Sequence, residues 1–427
     1  MCGILYSQND NKFDNLDPLK KRGPDGFSEI HNDLGYFAFS LLNTIGESTA
    51  QPFVTKHGIL LYNGSTYNSK GMNDTKWVGD QLDDNLENTI EVIRSLRGEY
   101  ALIYVTENHI VFCTDEFYQR NLWFYFSETE KQISICTIPS ILKNKHGSAW
   151  YVDENKIYVV DRNNFSINVV NNRTWNFEQK TNHYDYVLEK FEQAVKDRHD
   201  TRITTNLQSS GVDSGAINCA CLNFFDNPKA ISNIDGESKE ILEQRLKKHK
   251  FVITKYNGRQ LEKKRMFREI HDSYEIFAFG GEVDPLIYCF RFISNKHKNR
   301  VVIGGAGGDE IYNSTHGQCH GFITARTNGS FPEDLKLVWP WYNHPGTRLL
   351  IGNQRYDFIA GWFGLEIRNP HLDQDLVQAW LNTTQKLKNI DGKGWMKMYM
   401  KMHDYPYTSE KFPFNEGSYE LPDFYGL

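Results

Sequence analysis

Paired cysteines, long apolar runs and a surplus of basic charge are all missing from this sequence. The seven cysteines form no CxxC pair and have no histidines at metal-ligand spacing, which excludes a zinc-ribbon or disulfide-framework reading. An odd, scattered set fits a reducing compartment; Cys219 and Cys221 lie in an apolar segment and read as core. No stretch approaches the ~18 apolar residues of a membrane span. The opening MCGILYSQND lacks the basic and apolar regions of a secretory leader. The expectation is a soluble, cytoplasmic protein with no membrane partner. A formal charge of −6, with Lys-rich stretches (245–250, 262–265) that are short and interrupted, argues against nucleic acid as the main partner.

What is present is enough chain for two cores. At 427 residues the sequence exceeds what one hydrophobic core usually organises. Residues 1–170 hold short β-like runs (36–45, 58–62, 100–105, 109–114, 122–126, 132–137, 156–160), several alternating apolar with polar residues as half-buried antiparallel strands do. One helix-like segment, 86–96, interrupts them. A polar stretch, 171–183, reads as a linker. Beyond it helices and strands alternate: helical spacing over 187–195, a strand at 202–207, helices at 214–225, 239–248 and 285–294, and a strand at 301–303. That texture implies a parallel sheet with ligands at the carboxyl ends of its strands.

Cys2 follows the first methionine. If that methionine is removed, one residue carries both a thiol and a free α-amine, whose pKa of about 7.7–8.0 lets it take the thiol proton. Nucleophile and base are then combined, as in N-terminal nucleophilic catalysis; a cysteine at position 2 by chance is the plain alternative. Leu60-Leu61-Tyr62-Asn63-Gly64 reads as a strand entering an Asn-Gly turn. Its side-chain amide and backbone N–H could hold an oxyanion, or the pair could be an ordinary hairpin turn. Arg22-Gly23-Pro24-Asp25-Gly26 reads as a rigid charged loop.

Two further segments suit phosphate. The strand at 202–207 runs into Gln208-Ser209-Ser210-Gly211-Val212-Asp213-Ser214-Gly215 and then a helix. Small residues let backbone N–H groups approach phosphate oxygens, the helix N-terminus adds its dipole, and Asp213 suits Mg²⁺. It is not a Walker loop, since no Gly-Lys-Ser/Thr follows; a helix-capping turn is the bland reading. A second strand ends in Gly304-Gly305-Ala306-Gly307-Gly308-Asp309-Glu310.

In order and spacing, MCGI, RGPDG and YNGSTYN resemble the class II glutamine amidotransferase domain of asparagine synthetases. The loops 209–214 and 304–310, the segment Glu366-Ile367-Arg368-Asn369-Pro370-His371-Leu372-Asp373 and the stretch 411–417 resemble the synthetase domain of the same family. The resemblance implies an α+β Ntn-hydrolase-like αββα domain over 1–172 and an α/β ATP-pyrophosphatase domain over 183–427. It implies Cys2 as nucleophile, Asn63 and Gly64 as oxyanion hole, and Asp80 as the acid that holds the glutamine amine. Ser209, Ser210, Gly211, Val212, Asp213 and Ser214 would bind pyrophosphate, with Leu207, Gly304 and Gly305 lining the adenine and ribose. Asp213 and Asp309 would hold Mg²⁺, and Lys411 would stabilise charge on the phosphoryl and acyl groups. The implied substrates are ATP, glutamine and aspartate or a related carboxylate, and a homodimer is possible.

Three departures bear on substrate choice. Leu41 stands where the family has an arginine for the glutamine α-carboxylate, and leucine cannot form that fork. Ser210 replaces a loop glycine. Ala306 replaces a glutamate near the acceptor chemistry. Alternatives that stay open are a different carboxylate acceptor, a cyclising synthetase that uses no glutamine, and a catalytically silent nucleotide-binding regulator.

Overall fold

The structure is a computed structural model that describes residues 1–10, 12–44, 48–69, 71–233, 237–254, 269–270, 283–297, 300–314, 327, 329–340 and 348–408. The N-terminal half is built from β1 (Gly3–Ser7), β2 (Gly26–Asn32), β3 (Gly35–Leu41), β4 (Phe53–Val54), β5 (Gly58–Thr66) and β6 (Gly98–Thr106). It continues with β7 (His109–Thr114), β8 (Trp123–Ser127), β9 (Gln132–Cys136), β10 (Trp150–Tyr151), β11 (Lys156–Asp161) and β12 (Ile167–Asn171). These strands form two six-stranded sheets, ordered β10-β8-β9-β1-β3-β2 and β12-β11-β7-β6-β5-β4, and their pairings are antiparallel.

Alternation along the strands explains the layers. Ile4, Tyr6, Phe37 and Phe39 of the first sheet meet Ile59, Leu61, Ile103, Val105 and Phe112 of the second in a buried core, the face-to-face packing expected of two such sheets. The opposite face of the second sheet receives α2 (Asp74–Gly79) and α3 (Leu86–Ser95) through Val78 and Ile93. That of the first sheet receives α1 (Asp17–Arg22) and α4 (Pro139–His146) through Leu19, Ile141 and Leu142. The result is helix, sheet, sheet, helix, an αββα layering.

The C-terminal half carries a five-stranded parallel sheet ordered β15-β14-β13-β16-β17. Its strands are β13 (Thr204–Leu207), β14 (Lys229–Asn233), β15 (Val252–Thr254), β16 (Val301–Ile303) and β17 (Glu366–Arg368). Helices α5 (Asp185–Arg198), α6 (Val212–Phe224) and α7 (Lys239–Lys248) connect or cover it. The chain runs from β13 through α6 to β14 on one side, while β16 lies on the other. The crevice at the carboxyl ends of β13 and β16 is thus a topological switch point, where open α/β sheets bind ligands.

Several expectations need correcting. Asn63-Gly64 is not a turn: both residues lie inside β5, opposite Ala101 and Tyr100. A Cβ on Gly64 would stand 2.1 Å from the Glu99 carbonyl oxygen, so close strand approach, and not turn chemistry, requires this glycine. Arg22 is no loop residue, since it ends α1 fully buried and pairs with Asp357 at 2.9 Å. The strand expected over 36–45 ends at Leu41, and that expected over 202–207 starts at Thr204. The stretch 171–183 is pinned to the C-terminal half: Lys180 N–H donates to Asn382 O at 3.0 Å, and Trp175 is buried. Cys219 and Cys221 are buried in the core, as expected.

Candidate active sites at the thiol and the phosphate loop

Cys2 precedes β1, half-buried, and its Sγ accepts the Leu42 N–H at 3.4 Å. The Arg22 Nε donates to the Cys2 carbonyl at 3.2 Å. Burial pushes the thiol up from its ordinary pKa, while the N-terminal ammonium and the Leu42 amide pull the other way. Met1 is fully buried with its amino group on the Leu365 carbonyl at 2.8 Å, and burial brings that amine down to about 5. Leu41 adjoins the thiol's own hydrogen-bond partner and packs against the core between the sheets.

Asn63 is 1% exposed, and its Nδ2 has no hydrogen-bond partner among the described residues. An unsatisfied buried donor costs about 1–3 kcal/mol and calls for a reason. A donor held ready for a developing oxyanion is such a reason. Asp80 is the C-cap of α2 and pairs with Lys76 at 2.7 Å, half exposed.

One buried cluster joins the halves. Glu366 Oε1 accepts from Ser65 Oγ at 2.9 Å, two residues past Asn63, and from Arg368 Nε at 2.7 Å. Burial pushes the Glu366 carboxyl up, but Arg368, Arg120 and the N-terminal ammonium together hold it down at about 2. Glu366 thus lies within electrostatic reach of the thiol and of the strand bearing Asn63. Nearby, Arg198 binds Glu99 at 2.7 Å and Asp373 at 2.9 Å. Charges so deeply buried persist because each is paired.

At the switch point, Gly211 caps α6. Ser209 N–H donates to Ser214 Oγ at 3.0 Å, and Gly211 N–H donates to Ser209 Oγ at 3.1 Å. Ser210, the residue replacing glycine, is absorbed locally: its N–H and hydroxyl donate to Glu237, and its Oγ accepts from Ser238 N–H at 3.0 Å. Burial pushes the Glu237 carboxyl up to about 7, against the hydrogen bonds from Ser210 and the charge of Arg245. Leu207 ends β13 with its carbonyl held by Asn218 Nδ2 at 3.0 Å, and Val212 packs into the core as the first helical residue.

Asp213 and Asp309 come together. Lys393 Nζ stands 2.7 Å from Asp213 Oδ2 and 2.6 Å from Asp309 Oδ1, and the two carboxylates outweigh burial in raising its pKa. The glycines of the second loop explain the approach: a Cβ on Gly308 would stand 2.3 Å from Asp213 Oδ1. Gly304 N–H donates to Arg368 O at 2.9 Å, Gly305 adjoins Asp213, and Ala306 lies half-exposed between them and the helix Gly308–Tyr312. His371 Nε2 lies 3.0 Å from the Asp213 carbonyl, and burial takes its pKa down to about 4. A pair of hard carboxylates already holding a cation suits Mg²⁺, which takes one or two protein carboxylates plus phosphate oxygens. Among the described residues no cluster of three or more His, Cys, Asp or Glu forms a self-sufficient metal site.

Lys411 lies outside the described residues, as does the rest of 411–417. Sequence reasoning missed Lys393, Arg245, Glu237 and the linking role of Glu366. Only Lys393 left a local sign, as a lysine between Gly392 and Gly394 with a left-handed φ of 63°.

No protein-family model matches this sequence, and neither does any curated protein. Solved structures with similarity include glutamine phosphoribosylpyrophosphate amidotransferase from B. subtilis, complexed with ADP and GMP. It is 12% identical with TM-score 0.33, and the match covers 48% of this chain and 61% of that one. An allosteric regulatory enzyme of purine biosynthesis matches at 10% identity and TM-score 0.33, over 60% of this chain and 80% of that one. A glutamine aminotransferase class-II domain protein from Silicibacter pomeroyi matches at 11% identity and TM-score 0.25, over 40% and 98%. At these TM-scores the likeness carries no functional argument, which therefore rests on the residues. Among the described residues no helix is long and apolar enough to cross a membrane.

Proposed function

We propose that this chain is a glutamine-dependent amidotransferase of the asparagine synthetase type, which activates a carboxylate with ATP and captures ammonia released at Cys2. The observation that carries this reading is the position of β17. Its Glu366 side chain binds Ser65, beside Asn63, while its Arg368 carbonyl binds the Gly304 amide of the second glycine loop. One strand therefore touches the strand of the oxyanion donor and the loop of the carboxylate pair.

In this reading Cys2 attacks the side-chain amide of glutamine, with its own α-amine as base once Met1 is removed. The Asn63 amide and the Gly64 N–H take the oxyanion, and ammonia leaves before water hydrolyses the thioester. At the switch point the acceptor carboxylate attacks the α-phosphate of ATP, and pyrophosphate leaves. Asp213 and Asp309 would hold Mg²⁺, which when bound would neutralise phosphate charge, and Lys393, which bridges the two carboxylates, would add a positive charge beside the phosphates. Displacement of AMP by neutral ammonia completes the amide. Ammonia loses its nucleophilicity as ammonium, so the transfer needs a passage closed to water.

Aspartate is the leading acceptor, with asparagine as product in the cytoplasm. A different carboxylate is the second reading, favoured by Ala306 and Leu41, which remove an acid-base group and a carboxylate fork. Pyrophosphate release with ATP and a panel of carboxylates decides between them. Release with aspartate supports asparagine synthesis, and release only with another acid replaces it. Appearance of ADP and inorganic phosphate would overturn the adenylate mechanism.

A further inference from the structure

Arg245 is fully buried under the phosphate loop. It projects from α7 and its partners are backbone carbonyls. Nη1 donates to Ser209 O, Nη2 donates to Gly211 O at 3.1 Å, and Nε donates to Pro406 O at 2.9 Å. Its guanidinium lies 5.1 Å from the Tyr405 ring, and the Tyr405 hydroxyl donates to Gln208 Oε1 at 3.1 Å. Among the described residues no carboxylate forms an ion pair with it, although Glu237 lies close enough to act on its charge. A buried, unpaired guanidinium is costly, so a structure that retains one invites a functional account.

We propose that Arg245 is a positioning residue for the nucleotide phosphates, an inference that rests on the ATP reading above. The carbonyls it grips flank Ser210 on both sides. Drawing those two oxygens under the loop turns the oxygen ends of these peptides away from incoming phosphate, where they would repel it; the Ser210 N–H is already held by Glu237, and the Gly211 carbonyl also accepts the Gly215 N–H at 3.2 Å. The guanidinium adds a fixed positive charge one peptide layer below, in a setting where water screens it poorly. Its third contact ties the same loop to Pro406, so both the loop and the segment after the helix Gly394–Met402 take their register from one side chain. Gly215 makes room for it: a Cβ there would stand 2.4 Å from Nη2.

Calorimetric ATP binding and steady-state pyrophosphate release on the full chain test this, with glutamate release from glutamine and thermal unfolding as controls. Arg245→Met is expected to weaken ATP binding and raise its KM by about ten- to hundred-fold, the size of a lost charge-assisted contact. The expected kcat stays within about threefold, and glutamine hydrolysis is unchanged. Arg245→Lys, able to reach one carbonyl, recovers part of the KM effect. Gly215→Ala, which displaces the guanidinium without removing it, reproduces the loss. Equal ATP affinity in wild type and Arg245→Met overturns the inference alone. So does a rise of KM accompanied by a parallel fall of kcat, glutaminase activity and melting temperature, which marks a merely structural role. A wild-type chain that binds no ATP overturns the nucleotide reading, and this inference with it.

Discussion

The surroundings of Cys2 and those of the loop before α6, the two proposed sites, differ in how complete they are. Around Asp213 several charged groups have found partners within the chain: Lys393 between two carboxylates, Glu237 on Ser210, Arg245 on the loop carbonyls. Around Cys2 the parts are held but unengaged. Asn63 Nδ2 is buried without a partner among the described residues. A polyanion site can be filled by the protein's own charges until substrate displaces them. An oxyanion site cannot, because the charge it serves exists only during reaction, and preorganised donors are most effective there.

The sharpest way to break this contrast is Cys2→Ala. Glutamate release should fall by on the order of a thousandfold or more, as when a nucleophile is lost. Ammonia-supported pyrophosphate release should persist within about twofold, and a parallel loss of both would show that the sites are one. Next, Asp309→Asn should lower pyrophosphate release by about a hundredfold and leave glutamine hydrolysis intact.

Asn63→Ala should lower glutaminase kcat by about a hundredfold with little change in KM. Because it removes a donor that has no partner among the described residues, the melting temperature should hold or rise slightly; a marked fall would show a structural bond instead. The smallest effect on activity belongs to Glu237→Gln, which is read in stability. A carboxyl raised from 4.5 to about 7 on folding binds its proton more tightly in the folded state. Its contribution is full below the unfolded value and is lost as pH rises through about 7. Denaturant unfolding across that window should show wild type losing stability relative to the variant. Parallel curves would contradict the assignment.

Much of the architecture was legible because it is periodic. Short apolar runs bounded by turn residues, as at 100–105 and 109–114, marked strands that the structure buries on both faces, and the strand–loop–helix change from 202–207 to 214–225 marked a parallel sheet. Asn63-Gly64 misled because Asn-Gly favours turns, yet here a neighbouring backbone comes so close that only glycine fits. Lys393 and Arg245 left almost no trace, since each meets its partners across long sequence separations.

The sequence alone determined the two halves, the thiol at position 2 and the glycine-rich loops, since local periodicity and small residues act over a few positions. Only the tertiary structure decided that Glu366 bridges toward the thiol's neighbourhood, that Lys393 joins Asp213 to Asp309, and that Arg245 grips the loop. Burial makes those charges seek partners wherever the fold brings them, and that proximity is written in no local pattern.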